Sequence, residues 1–315
     1  MNMIAGTDSP ATKGTLAIWF SLVKFSHSIF ALPFAMASAW LAAGGVPVLG
    51  DLGLIVLCAV AARTAAMAFN RLVDRDVDAK NKRTASREIP AGLVSPASAG
   101  LLTLGSSLLF IVGAFSLNRL SGFLAFPVLL VLLGYSLVKR ISWSAHLVLG
   151  LSLGLAPLGA WVAVRGQLNG DLSPPLLLAA AVLTWVAGFD LIYSCQDAGF
   201  DREEGLHSIP ARFGIPRALG VSSFLHLLTV ALLLLLCWRA EMGAVYLVAV
   251  VVAACLLLWQ HRLVSADDLS RVNMAFFTLN GWVGIGLFAG TAIDLALELE
   301  PVFGPLGRTL QGGMS

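Results

Sequence analysis

Residues 52–68, LGLIVLCAVAARTAAMA, pass directly into residues 69–87, FNRLVDRDVDAKNKRTASR. The first part is apolar enough to lie in a bilayer; the second crowds charged side chains at its mouth. That contrast stands out because the rest of the chain is poor in charge. Of 315 residues, 58% are hydrophobic and only 12% charged, with a mean hydropathy of +0.86, whereas a soluble domain carries about a quarter charged residues. The chain reads as an all-α, polytopic integral membrane protein. Working outward with spans of roughly 20 residues gives nine transmembrane helices, at 16–43, 52–70, 97–117, 123–138, 144–164, 175–198, 219–238, 243–260 and 273–295. No soluble domain fits in the remainder, so residues 1–315 are expected to form a single transmembrane domain. The first span is too long for a signal peptide, holds Lys24 and His27, and lacks a small-residue cleavage site.

Charge counting orients the spans. Lys13, Arg71, Arg75, Lys80, Lys82, Arg83, Arg87, Lys139, Arg140, Arg202, Arg212, Arg217, Arg262 and Arg271 fall on one side, against Arg119, Arg165, Arg239 and Arg308 on the other. The positive-inside rule places the N-terminus and the long loops in the cytoplasm and the C-terminus outside, in the inner or plasma membrane of a bacterium-like cell. Long polar loops at 71–96, 199–218 and 261–272 face tight turns such as NRLSG and RAEMG on the opposite side. Chemistry is therefore expected at the cytoplasmic face. A net charge of +2, spread over short loops, excludes a polyanion partner such as nucleic acid. Cys58, Cys195, Cys237 and Cys255 stand singly in apolar runs, with neither metal-ligand nor disulfide spacing, and read as small buried residues.

Continuing the second span as a helix puts Arg63, Met67, Asn70, Asp74 and Asp78 at steps of four, three, four and four, one stripe of a 3.6-residue helix. It presents a cation within the membrane, then an amide, then two carboxylates at the mouth. The sixth span, TWVAGFDLIYSCQDAGFDREEG, repeats the grammar with Asp190, Tyr193, Asp197 and Asp201. Both stripes reach the same side. One DxxxD alone is usually a solvated helix end, but two on one face, each continued inward by an intramembrane polar residue, point to a site. Arg63 and Asp190 carry weight of their own, since an ionisable group within a span costs about 2.5 to 3.5 kcal/mol on insertion scales; their structural alternative is an Arg–Asp pair between spans.

Carboxylates converging at about 6 Å, at an effective dielectric near 20, cost about 3 kcal/mol per close pair. A divalent cation offsets that repulsion. Hard oxygen ligands without a His or Cys cluster suit Mg²⁺, which completes its shell with water and substrate phosphate. Acidic pairs facing each other over a cavity thus suggest a metal-bridged diphosphate, with Lys82, Arg83, Arg87, Lys139, Arg140 and Arg202 available for its remaining oxygens.

The phrases NRLVDRDVD, KRTASREIPAG and YSCQDAGFDREEGLHSIPARFG resemble the signature regions of the UbiA superfamily of intramembrane prenyltransferases, with an NxxxDxxxD and a second DxxxD motif. The resemblance covers nearly the whole chain. It implies nine transmembrane helices around a central cavity open to the cytoplasmic side, with Asn70, Asp74, Asp78, Asp197 and Asp201 as ligands of Mg²⁺ and of the diphosphate of a polyprenyl donor. It also places Arg63, Arg140 and Asp190 near the acceptor and diphosphate pockets. Among the branches the chain looks most similar to 4-hydroxybenzoate polyprenyltransferases of quinone synthesis. The phrase KFSHSIFALPFA resembles a subgroup whose acceptor is another aromatic acid, such as a dihydroxynaphthoate of a menaquinone route. His207 stands where many relatives have Lys or Arg, and His27 and His146 read as packing or hydrogen-bonding residues.

The chemistry expected from this resemblance is ionisation of the allylic carbon–oxygen bond as diphosphate departs, stabilised electrostatically, then attack by a ring carbon of the phenol and loss of a ring proton. Asp190 or Asp197 orients or deprotonates the acceptor, and Arg63 or Arg140 pairs with its carboxylate. Surrounding membrane lipid admits the polyprenyl tail through a lateral opening, and no protein partner is expected. A secondary transporter would also use intramembrane Arg and Asp, but with acids at the midplane rather than at one mouth. A CDP-alcohol phosphotransferase lacks its DGxxAR run here.

Overall fold

The computed structural model describes residues 14–23 and 31–303, and among these every regular element is a helix. In chain order they are α1 (Thr15–Leu22), α2 (Leu32–Ala43), α3 (Leu49–Val73), α4 (Arg75–Lys80), α5 (Pro96–Leu117), α6 (Arg119–Val138) and α7 (Ala145–Arg165). Then follow α8 (Ser173–Ser194), α9 (Ala198–Glu203), α10 (Ile209–Phe213), α11 (Ile215–Arg239), α12 (Ala244–Arg262) and α13 (Asn280–Ala296). Eight helices among the described residues are long and apolar enough to cross a membrane. The expected first span, 16–43, is covered by α1 and by α2, whose 12 residues fall short of a span; Lys24 and His27 lie outside the described residues. Arg71, grouped above with the loop, is instead buried in the last turn of α3. Cys58, Cys195 and Cys237 are buried as expected, whereas Cys255 is exposed on α12.

Each long helix packs on its neighbour in sequence, and α13 returns against α2, which closes a ring. Its two halves are filled differently. Around α2, α8, α11, α12 and α13 the interior is solid, with an aromatic chain from Phe34 through Trp185, Phe189 and Phe276 to Tyr193 at centroid spacings of 4.9, 5.0, 5.1 and 4.3 Å. Around α2, α3, α5, α6 and α7 alanine is the commonest inward residue, and a cavity remains.

Two glycines set the crossing of α7 and α8. A Cβ at Gly150 would lie 2.3 Å from the Leu183 carbonyl oxygen, and one at Gly154 2.8 Å from that of Ala179. Only a bare backbone permits this approach. Gly150→Ala is therefore expected to force the helices apart and destabilise the protein by about 1–3 kcal/mol, as overpacking does, readable as a lowered Tm in detergent.

α13 begins irregularly. A π-helical turn, Met274–Leu279, precedes it, and its loosened carbonyls are recovered by buried Asn280, which donates to Ala275 O (3.2 Å) and Phe276 O (2.9 Å) while accepting from Trp185 Nε1 (2.9 Å). At the other end of α13, buried Asp294 accepts from the backbone N–H groups of Gly243, Val245 and Tyr246, the opening turn of α12. This carboxylate is a helix cap.

Candidate active site

Both acidic motifs sit where a span breaks. Asp74 (φ −87°, ψ 2°) separates α3 from α4, and Asp197 (φ −100°, ψ 1°) ends a 3₁₀ turn, Cys195–Asp197, between α8 and α9. The expected continuous stripe is interrupted at both places. The spacing survives because Asp74 N still donates to Asn70 O (2.9 Å) and Asp78 N to Asp74 O (2.7 Å).

Each acid of the two breaks is met by a cation. Arg83, on the loop after α4, engages both carboxylate oxygens of Asp197, with Nε 2.9 Å from Oδ1, and donates from Nη1 to the Tyr193 hydroxyl at 3.0 Å. Asn81 on the same loop donates to Asp197 Oδ1 (3.1 Å). The consecutive residues Lys139 and Arg140, after α6, divide between the motifs: Lys139 Nζ stands 2.7 Å from Asp201 Oδ1, and Arg140 Nη2 donates to Val73 O (2.7 Å) and lies 3.4 Å from Asp74 Oδ1. Arg87 Nη1 holds Asp78 at 2.6 and 2.8 Å. Asn70 donates to Asp74 Oδ2 (2.9 Å), and Ser208 to Asp201 Oδ2 (2.9 Å). This network is four neighbouring sets of bonds: Asn70 and Arg140 on Asp74, Arg87 on Asp78, Asn81 and Arg83 on Asp197, and Lys139 and Ser208 on Asp201.

Other expected site residues stand apart from that network. Lys82 is exposed, and exposed Arg202 donates to Ala211 O at 3.3 Å, bracing the α9–α10 turn. His207 donates its backbone N–H to Lys139 O (2.8 Å), tying this turn to the end of α6. Asp190 is bound by His146 Nδ1 at 2.7 Å, a partner on α7 that no spacing in the sequence reveals. Asn81, Ser208 and Tyr135 are further site residues that the motifs do not announce. Burial, and then the Asp78 carboxylate, push the Asp74 carboxyl above its ordinary value, while the Arg140 hydrogen bond pulls the other way.

Below the network lies the cavity, about 1050 Å³ with its open mouth included. Its α7 lining runs from Leu149 to Ala163, roughly 20 Å at about 1.5 Å per residue. That is two thirds of a hydrocarbon core about 30 Å thick. Alanine is the commonest residue of the wall, and its polar side chains include Arg63 and Tyr135. Arg63 has no ion pair with any described residue, and its Nε is buried without a hydrogen-bond partner. The structural alternative for these two residues, an Arg63–Asp190 pair between spans, is not formed; Asp190 pairs with His146 instead.

Among the described residues no group of three or more His, Cys, Asp or Glu is placed to hold a metal ion, and each motif carboxylate is engaged by a basic or amide side chain. The donor set is nonetheless of the right kind: carboxylate and amide oxygens, free of sulfur and imidazole, suit a hard divalent cation.

The chain is similar to 4-hydroxybenzoate octaprenyltransferase of Nitrosospira multiformis, with 32% identity over 81% of this chain and 86% of that protein. Its fold is similar to the apo structure of a UbiA homolog from Aeropyrum pernix K1, with TM-score 0.77 and 37% identity, covering 85% of this chain and 98% of the other. It also matches a UbiA homolog from Archaeoglobus fulgidus bound to GPP and Mg²⁺, with TM-score 0.69 and 19% identity over 89% and 99% of the two chains; this second likeness is one of fold. Residues 31–282 match the UbiA prenyltransferase family. With its ring of helices, paired acidic breaks and alanine-walled cavity, this integral membrane protein belongs to the UbiA prenyltransferase family.

Proposed function

We propose that the protein transfers a polyprenyl group from polyprenyl diphosphate to a ring carbon of a 4-hydroxybenzoate-type aromatic acid in quinone biosynthesis, with Mg²⁺ as cofactor and residues 1–315 acting as one domain. The observation that carries this reading is Arg63, a guanidinium without an acidic partner among the described residues, on the wall of an apolar cavity. A cation so placed requires an anion, and an aromatic carboxylate supplies one together with a ring that the cavity accepts. Arg140 is the weaker candidate for that contact, since Val73 O and Asp74 already occupy it.

Asn70, Asp74, Asp78, Asp197 and Asp201 are the residues that would hold the metal. When bound, Mg²⁺ supplies positive charge to the oxygens of the departing diphosphate. Arg83, Arg87, Lys139 and Arg140 turn from the carboxylates to the diphosphate, with Lys82 and Arg202 as outer contacts. The alanine-walled cavity takes the polyprenyl tail and keeps water from the allylic cation. Asp190 acts on the acceptor side of the site, and the site faces the cytoplasm.

The test gives purified protein mixed-length prenyl diphosphates with 4-hydroxybenzoate or a dihydroxynaphthoate, and identifies products by mass spectrometry. A prenylated 4-hydroxybenzoate is expected. Prenylation of the dihydroxynaphthoate alone moves the protein to the menaquinone branch, and solute flux in proteoliposomes without diphosphate release makes it a transporter. Arg63→Met is expected to raise KM for the aromatic acid roughly 10- to 100-fold, the loss of a charged hydrogen bond worth about 1.5–3 kcal/mol. An unchanged KM for both substrates removes Arg63 from the pocket.

A further inference from the structure

We propose that His146 is the proton acceptor of the reaction and that Asp190 is its positioning residue. The proposal rests on the reading of the protein as an aromatic prenyltransferase, and it assigns the one proton transfer which that reading leaves without a residue.

The imidazole of His146 is buried at 4% exposure, with Nδ1 2.7 Å from Asp190 Oδ2. An ionised carboxylate only accepts hydrogen bonds, so Nδ1 carries the hydrogen; in the neutral ring this leaves the lone pair on Nε2. Nε2 is buried and makes no hydrogen bond with any described residue. A carboxylate-oriented imidazole with an idle second nitrogen is the arrangement of a general base.

A structural explanation is a strut between α7 and α8. It accounts poorly for the residue, because the close backbone contacts at Gly150 and Gly154 already lock this crossing. A strut also needs only one polar atom, and a histidine here strands a second one away from water, a cost that asparagine or an apolar residue avoids. The placement on α7 fits chemistry better. His146 opens the stripe that continues through Leu149, Leu153, Ala156 and Ala160 at steps of three, four, three and four, and those four line the cavity. His146 thus stands one turn beyond the cavity wall, at the end that also holds Arg63 and Tyr135.

In the step proposed, the allylic carbon–oxygen bond breaks and its electron pair leaves on the diphosphate. A π pair of the aromatic ring forms the new carbon–carbon bond. The proton on the attacked ring carbon passes to His146 Nε2, and the carbon–hydrogen pair restores the aromatic ring. Asp190 stabilises the imidazolium until water takes the proton.

His146→Asn tests this assignment, because its amide retains a donor to Asp190 and lacks the second nitrogen. With an acceptor deuterated at the ring carbon that is prenylated, the wild-type protein is expected to show no primary isotope effect on kcat. His146→Asn is expected to lower kcat by roughly 10²- to 10⁴-fold, the usual worth of general base catalysis, with KM for both substrates nearly unchanged and with a primary isotope effect now present. Loss of a structural strut would lower activity without making carbon–hydrogen cleavage limiting, so a fall in kcat with no isotope effect overturns the proposal, as does near wild-type turnover. If His146→Asn does not fold, Asp190→Asn carries the same expectation and the same overturning results. A wild-type protein that forms no prenylated acid fails the parent reading as well, a result distinct from an active wild type with an indifferent variant.

Discussion

Asp197→Ala is expected to bring prenyl transfer to background, a loss on the order of 10³ or more, beyond the 10²–10³ typical of deleting one transition-state donor. Three side-chain nitrogens from the loop after α4 converge on this one carboxylate: Arg83 Nε, Arg83 Nη2 and Asn81 Nδ2. It therefore serves both as a proposed metal ligand and as the anchor that brings this loop to the end of α8. Without it the Arg83 guanidinium loses its counter-charge in a partly buried position, and the loop carrying Arg87 is freed as well. Asp74→Ala is expected to be equally inactive. Its carboxyl, held above the ordinary range by burial and Asp78, would be stabilised in its charged form by a divalent ion, so as pH falls proton competition should begin to weaken Mg²⁺ binding, and raise the Mg²⁺ required, at a higher pH than for an ordinary aspartate. The measurement is product formation by detergent-solubilised protein whose monodispersity and Tm match wild type. Turnover within about tenfold of wild type in either variant would contradict the placing of the metal, since removing a required ligand has far larger effects.

The helical framework was legible because hydrophobic run length determines it almost alone: Pro96–Leu117, Ala145–Arg165 and Ala244–Arg262 fall within two residues of the expected spans at 97–117, 144–164 and 243–260. The breaks at Asp74 and Asp197 were not legible. The four-residue spacing of a helix also fits two helices joined through one residue of near-zero ψ, so periodicity cannot separate the cases. The π turn at Met274–Leu279 was equally hidden, because what sustains it is Asn280 meeting Trp185 of α8, a contact between distant parts of the chain. At the site, the acidic residues were found by their spacing, but their partners were not. The sequence suggested that converging carboxylates require a metal, whereas the protein first answers their repulsion with Arg83, Arg87, Lys139 and Arg140. His146 reads from the sequence only as a packing or hydrogen-bonding residue, and it does hydrogen-bond; its partner stayed hidden because a lone histidine in an apolar span points to no particular group until the fold supplies Asp190.

Arg83→Lys is expected to be nearly as damaging as Arg83→Ala, each lowering kcat by about 10²–10³-fold, the range seen when one oriented donor to developing charge is lost. Arg83 meets Asp197 with two nitrogens and Tyr193 with a third, and it lies 5.2 Å from the centre of the Tyr193 ring. A lysine ammonium supplies the charge but neither the planar fork nor the ring contact. Burial lowers the proton affinity of the Arg83 guanidinium, but its bonds to Asp197 raise it further, so the cation is retained in the absence of substrate and is ready for the diphosphate. If Arg83 only neutralises Asp197, the lysine variant recovers most activity and the alanine variant is rescued by higher Mg²⁺. If Arg83 instead passes from Asp197 to the diphosphate, neither recovery occurs, and KM for the prenyl donor rises together with the fall in kcat. Steady-state kinetics of both variants across a Mg²⁺ series separate the outcomes, and full activity of Arg83→Lys would confine Arg83 to charge neutralisation. The double variant Arg83→Ala, Asp197→Ala should be no worse than Asp197→Ala alone, because residues that act as one unit lose their effect together.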